Sequence, residues 1–125
     1  MIPLRVLTAE DDEDIRRLVA MILRRRGHTV IEAGNGAETI ALAQKELPDV
    51  IVLDMLMPNG SGLEVAQALT TEERTATIPI ILLSAITQPI PENTEYPPNI
   101  RRSLSKPFDP LHLIAIINEV VDSVR

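Results

Sequence analysis

Short apolar runs alternate with segments of helical period along almost the whole chain, and this alternation restricts the fold more than any single residue does. Residues 4–9 (LRVLTA), 28–33 (HTVIEA), 49–53 (DVIVL) and 79–85 (PIILLSA) read as strands, and 99–105 (NIRRSLS) can supply a fifth. Between the first two, residues 12–26 place Ile15, Leu18, Val19, Ile22 and Leu23 on one helical face, with Gly27 as the stop. Asn35-Gly36 reads as a turn and 37–46 as a helix that ends before Pro48. A third helix is predicted over 62–74, where Leu63, Ala66 and Leu69 recur every three residues beside Val65. Asp109 as N-cap and Pro110 at the first helical position signal a last helix running to about Val124. Nearly continuous apolar strands separated by helices call for a parallel sheet covered on both faces. Right-handed crossovers make that sheet doubly wound, and its functional crevice lies at the carboxyl ends of the strands.

Composition excludes several classes of function. The chain has 125 residues, enough for one domain with a real core, and 45% of them are hydrophobic, which argues against disorder. Only Tyr96 and Phe108 are aromatic, so the core must be aliphatic. Without cysteine there are no disulfides or thiolate metal sites, in keeping with a reducing, cytoplasmic setting. No apolar run approaches the roughly 18–20 residues that cross a bilayer, so no membrane partner is expected. A net charge of −6 argues against direct DNA binding. The run Arg24-Arg25-Arg26 reads instead as cations at the negative end of a helix dipole.

Chemistry collects where the strands end. Glu10-Asp11-Asp12 follow the first strand, Asp54 the third, Ser84-Ala85 close the fourth and Lys106-Pro107 follow the fifth. Carboxylates brought to one rim are costly without a cation, and hard oxygen ligands at Glu10, Asp11 and Asp54 suit Mg²⁺. A lysine beside them offers a point charge for a phosphoryl oxygen. Taken singly, each has a plainer reading: Asp11 or Asp12 as a helix cap, Asp54 as a turn former, Ser84 as structural and Lys106 as a solvated charge. Four strand ends with complementary chemistry are harder to dismiss.

These residues carry a family resemblance along the whole chain. LTAEDDEDIRRL, PDVIVLDMLMPNGSGLEV, IILLSA and SKPF resemble the acidic pair, phosphoacceptor strand, hydroxyl-bearing strand and Lys-Pro-Phe of response regulator receiver domains. The resemblance implies a single receiver domain over 1–125, with a flavodoxin-like five-stranded sheet in the order 2-1-3-4-5. It implies that Asp54 accepts a phosphoryl group from a sensor histidine kinase or phosphotransfer protein and thereby switches contacts with a downstream protein. Asp11 and Asp54 would hold Mg²⁺ directly, Glu10 through water, and the Leu56 backbone carbonyl would complete the set. Lys106 would offset phosphoryl charge and Ser84 hydrogen-bond a phosphoryl oxygen, with Met55 and Ala85 as further backbone N–H donors. Pro58 and Gly62 match the loop after the acceptor, and the bond before Pro107 is usually cis in the family. Leu56 and Ile86 occupy the positions that flank the attacking water; both are apolar, which implies slow self-dephosphorylation.

The chain departs from the family between the fourth and fifth strands. TQPIPENTEYPP at 87–98 holds four of the ten prolines and replaces most of a helix expected there. Ser103 stands at the usual aromatic position of strand 5 beside Arg102, and Tyr96 lies inside the loop, so the usual hydroxyl-to-aromatic relay does not carry over. The loop reads either as an inert cover or as an altered output surface ordered by phosphorylation or a partner. The apolar set of the last helix (Leu113, Ile114, Ile116, Ile117, Val120, Val121) is broader than one buried stripe requires, which leaves surface either for a homodimer through this helix and the 87–103 region or for another protein.

Two other function classes compete. A receiver-shaped binding module that is never phosphorylated would be expected to lose one of the acidic pair, the acceptor or the lysine, and none is lost here. A phosphatase of the haloacid dehalogenase type wants a second Asp two residues after the first, where Leu56 stands. No output domain is expected after the last helix. Met1 close to the first strand favours a stand-alone regulator over a receiver cut from a larger protein.

Overall fold

The computed structural model describes residues 3–85 and 93–123. The chain runs β1 (Arg5–Ala9), α1 (Glu13–Arg25), β2 (Thr29–Ala33), α2 (Gly36–Glu46), β3 (Val50–Asp54), α3 (Gly62–Thr70), α4 (Glu73–Ala76), β4 (Ile80–Ala85), β5 (Ile100–Lys106) and α5 (Pro110–Ser123). The five strands form one parallel sheet in the order β2-β1-β3-β4-β5, the flavodoxin-like arrangement expected.

Strand alternation divides the core between the two faces of the sheet. Val6, Val50, Val52, Ile81 and Leu83 pack with α1 and α5, while Leu7, Ile51, Leu53, Ile80 and Leu82 pack with α2 and α3. Because β1, β3 and β4 are buried on both faces, they read as unbroken apolar runs. Strand β5 is an edge, largely exposed, and takes Arg102 opposite Ile81 after a register shift that leaves Arg101 without a partner.

Three expectations change and two hold. Asn35-Gly36 is not a free turn: the Asn35 side chain accepts the Glu38 N–H at 2.9 Å, and Gly36 is the first helical residue of α2. The helix predicted over 62–74 is broken. Hydroxyls of Thr70 and Thr71 donate back to the Gln67 and Ala68 carbonyls at 2.6 and 2.7 Å, and Thr75 donates to Leu69 O at 2.7 Å. Those bonds compete with helix propagation, so α3 stops at Thr70 and α4 is a single separate turn. In α5 all six residues of the broad apolar set are buried against the sheet and α1, so the homodimer through this helix loses the surface that suggested it. Finally, residues 93–98 form no helix, as the prolines require, whereas 87–92 and Val124 lie outside the described residues. Asp109 does cap α5, its carboxylate accepting the Leu111 N–H at 2.9 Å.

At the opposite end of the sheet from the acidic residues, buried His28 accepts the Leu4 N–H on Nδ1 at 3.0 Å. Burial, with a smaller push from Arg26, holds its pKa below the ordinary histidine value. A depressed histidine contributes stability that is complete above the unfolded pKa of about 6.5 and is lost as pH falls toward the folded pKa. Urea unfolding at pH 7.5 and 5.5 is therefore expected to show a larger acid-side loss in the wild type than in His28→Gln. Equal losses would contradict it.

Candidate functional site

The carboxyl ends of β1, β3, β4 and β5 meet at one rim because parallel strands all deliver their last residues to the same edge. Glu10 follows β1, and its N–H extends the β1–β2 ladder by one bond to Ala33 O at 3.1 Å. Asp54 closes β3 opposite Leu83, one residue before Ser84. Lys106 closes β5 opposite Ala85, and the peptide between Lys106 and Pro107 is cis, as is usual in the family that the sequence resembles.

Glu10, Asp11 and Asp54 bring carboxylate oxygens within 4.8 Å of one another. Glu10 and Asp54 are only 3% and 5% exposed, while Asp11 is open to solvent. The Lys106 ammonium lies between the two buried groups, 2.6 Å from Glu10 Oε2 and 3.2 Å from Asp54 Oδ1. Burial pushes the Glu10 carboxyl up to about 7; the Lys106 hydrogen bond opposes that shift and the Asp54 charge adds to it. For Lys106, burial pulls downward, but the Glu10 hydrogen bond and both carboxylate charges outweigh it and raise the ammonium above its ordinary value. An all-oxygen donor set with one solvent-facing member, too acidic for one lysine to balance, fits a hard divalent cation such as Mg²⁺.

The backbone around Asp54 needs two glycines. A Cβ on Gly62 would lie 2.8 Å from the backbone carbonyl of Asp54 and from Leu82 Cδ1, so the loop closes against the Asp54 backbone only with glycine there. The Gly62 N–H donates to Met55 O at 2.8 Å and fixes that loop. Gly36 is the second, and the sequence reading missed it. A Cβ there would collide with the backbone carbonyls of Asn59 and Gly60, and its N–H donates to Pro58 O at 3.1 Å. Its signal was the Asn-Gly pair, but the contact it serves is a tertiary one.

One backbone expectation is corrected. The Met55 N–H is already bonded to Leu83 O at 2.8 Å, continuing the β3–β4 ladder past Asp54. The N–H that faces the Asp54 carboxylate is that of Leu56, 3.4 Å from Oδ1. Ser84 and Ala85 sit at the half-buried end of β4, with Ser84 opposite Ser105. Leu56 is exposed at the rim, and Ile86 lies outside the described residues. Ser103 faces solvent on β5, and its neighbour Arg102 pairs with Glu119 at 2.8 Å. Among the described residues no helix is long and apolar enough to cross a membrane.

Residues 6–118 match the family model of the response regulator receiver domain. Protein PilH of Pseudomonas aeruginosa is 34% identical over 118 residues, covering 94% of this chain and 97% of PilH. The DNA-binding dual master transcriptional regulator RpaA of Synechocystis is 34% identical over 117 residues, but these make up 48% of its length. Among solved structures, the chemotaxis protein CheY4 of Vibrio cholerae superposes with a TM-score of 0.82 at 31% identity, over 95% of this chain and 99% of that one. A CheY-like receiver domain protein from Methanospirillum hungatei gives 0.85 at 28% identity, over 97% and 96%.

Proposed function

Since the chain belongs to the response regulator receiver domain family, we propose that its work is to accept a phosphoryl group on Asp54 and to change its protein contacts in response. The observation that carries this reading is the meeting of Glu10, Asp11 and Asp54 within 4.8 Å, with Lys106 at 3.2 Å from the proposed nucleophile.

The donor is a phosphohistidine on a sensor histidine kinase or phosphotransfer protein. An Asp54 oxygen attacks phosphorus, an O–P bond forms as the N–P bond breaks, and the electron pair of that bond stays on the histidine ring nitrogen. Such transfer asks the protein mainly for alignment and for balance of charge. Asp11 and Asp54, with Glu10 through water and the Leu56 carbonyl, are the groups that would hold Mg²⁺, which when bound neutralises charge on the phosphoryl oxygens. Lys106 moves its charge from the carboxylates to a phosphoryl oxygen once the acyl phosphate exists. Ser84 and the Leu56 and Ala85 N–H groups are the proposed hydrogen-bond donors to the remaining oxygens. The resulting switch acts as one receiver domain in the cytoplasm on a downstream protein rather than on DNA.

Hydrolysis of the acyl phosphate requires a water aligned behind phosphorus. Leu56 and Ile86 carry no group that can hold it, so the phosphorylated protein is expected to decay over many minutes. Time-resolved mass spectrometry of the purified protein checks this, and a half-life of seconds would refute it.

The test of the function itself is incubation with Mg²⁺ and acetyl phosphate, which should add one phosphoryl mass that chelation prevents. No gain with any donor, together with no Mg²⁺-dependent binding of beryllium fluoride, would leave the phosphorylation-independent binding module as the better reading.

A further inference from the structure

The acidic pair is held from behind by a group whose hydrogen bonds go to none of the three rim carboxylates. Arg16, on the first turns of α1, donates from Nη1 to the backbone carbonyl of Glu10 at 2.9 Å. Its Nε lies 3.4 Å from Glu32 Oε1 on the neighbouring strand β2. The other Glu32 oxygen is taken by Arg24 Nη2 at 3.2 Å, and the same nitrogen donates to Val30 O at 3.1 Å. Two guanidiniums two helical turns apart therefore clamp one carboxylate and tie α1 to β2.

Gly34 makes room for this arrangement. A Cβ at that position would stand 3.1 Å from Arg16 Nη1, so the guanidinium would have to shift by a few tenths of an ångström from its place on the Glu10 carbonyl. Arg16 and Glu32 are the least exposed members of this set, at 19% and 27% of their side chains. A planar fork suits the task because it can face a carbonyl and a carboxylate at once, which a lysine ammonium on a flexible stem does poorly.

Between β1 and α1 the chain has only Glu10, Asp11 and Asp12 in which to turn. The Glu10 N–H is fixed to Ala33 O, and its carbonyl, which belongs to the peptide leading into Asp11, is fixed by Arg16. Asp12 is tied on the far side, its N–H donating to Glu10 Oε1 at 3.3 Å and its carbonyl accepting the Arg16 N–H at 2.9 Å. Among the described residues, the Arg16 bond is therefore the one side-chain hydrogen bond on the peptide that leads directly into Asp11. We infer that Arg16, braced by Glu32 and admitted by Gly34, is a positioning residue that sets the Asp11 carboxylate for the divalent cation. The inference rests on the phosphoacceptor reading above only in assigning a cation to that cluster.

Calorimetric Mg²⁺ titration of Arg16→Gln, Gly34→Ala and Arg17→Gln tests it. Arg17 carries the same charge on the same helix but pairs with exposed Glu13 at 2.6 Å, so it controls for loss of a positive charge. Arg16→Gln is expected to weaken Mg²⁺ binding by about tenfold, the scale seen when an outer partner of a metal ligand is removed. Gly34→Ala should move it in the same direction, and Arg17→Gln should not weaken it. Phosphorylation of Arg16→Gln by acetyl phosphate should need more Mg²⁺ yet reach the wild-type rate at saturation. A variant that melts earlier but keeps wild-type Mg²⁺ affinity would overturn the inference, leaving a purely structural brace.

Should the wild type itself bind no Mg²⁺, the phosphoacceptor reading fails rather than the brace. Amide exchange at Asp11 and Asp12 in chelator then decides. Faster exchange in Arg16→Gln than in Arg17→Gln supports the positioning, and equal exchange refutes it.

Discussion

The Asp54→Asn variant is expected to gain no phosphoryl mass from acetyl phosphate under conditions in which the wild type gains one, and to melt at a higher temperature when both are kept in chelator. The first effect follows from chemistry, because an amide oxygen lacks the anionic charge needed to attack phosphorus. The second follows from the electrostatics of the rim. Glu10 and Asp54 are both almost fully buried and share one ammonium, at 2.6 and 3.2 Å. One lysine neutralises one carboxylate, so the second is an excess buried charge. Asparagine removes that excess at nearly constant volume and can still accept the Leu56 N–H that now lies 3.4 Å from Asp54 Oδ1. Loss of phosphorylation together with higher stability is the pattern of a residue retained for chemistry at a cost to the fold. A variant that loses stability as well would mean that the effect on phosphorylation reports misfolding. Mass gain persisting in it would place the acceptor elsewhere.

Burial and strand direction explain which parts of the molecule could be read from its sequence. The sheet was legible because β1, β3 and β4 are buried on both faces, and two-sided burial leaves continuous apolar runs. The rim was legible because strands of one direction must end together, so Glu10, Asp54, Ser84 and Lys106 could be placed by counting to the strand ends. Contacts made across the chain were not. Nothing local distinguishes the Met55 N–H from that of Leu56; a register bond from Met55 to Leu83 O decides which of them faces Asp54. Arg16 carries no local signal of its role, since its partners lie on another strand and on a backbone carbonyl. The width of the α5 stripe was visible, but whether it exceeded what one chain can bury depended on how α1 and the sheet surround it. Helix α3 ended early through hydroxyl bonds that a periodicity of apolar residues does not register.

Replacing Lys106 by methionine isolates the cation that this rim requires. Methionine keeps much of the stem's volume and removes the charge, leaving Glu10 and Asp54 facing each other with 4% and 7% of their side chains exposed. Removing one partner from a buried ion pair typically costs about 3–5 kcal/mol, and protonation of the survivor limits the loss. Glu10 already titrates at about 7 with the lysine present, and without it the carboxyl must move higher still. A carboxyl whose folded pKa is raised destabilises the fold progressively as pH climbs from its unfolded value to its folded one, and the cost then levels off. In the wild type that rise is complete soon after pH 7, whereas in Lys106→Met it continues above it. Thermal melts in chelator should therefore show a small gap between the two proteins at pH 6 and a wide one at pH 8.5. Adding millimolar Mg²⁺ at pH 8.5 should close most of that gap, because a divalent cation at Glu10, Asp11 and Asp54 supplies the charge the lysine gave. A gap that is the same at both pH values would mean that Lys106 stabilises by packing alone. A gap that Mg²⁺ leaves unchanged would mean that the three carboxylates do not hold the ion.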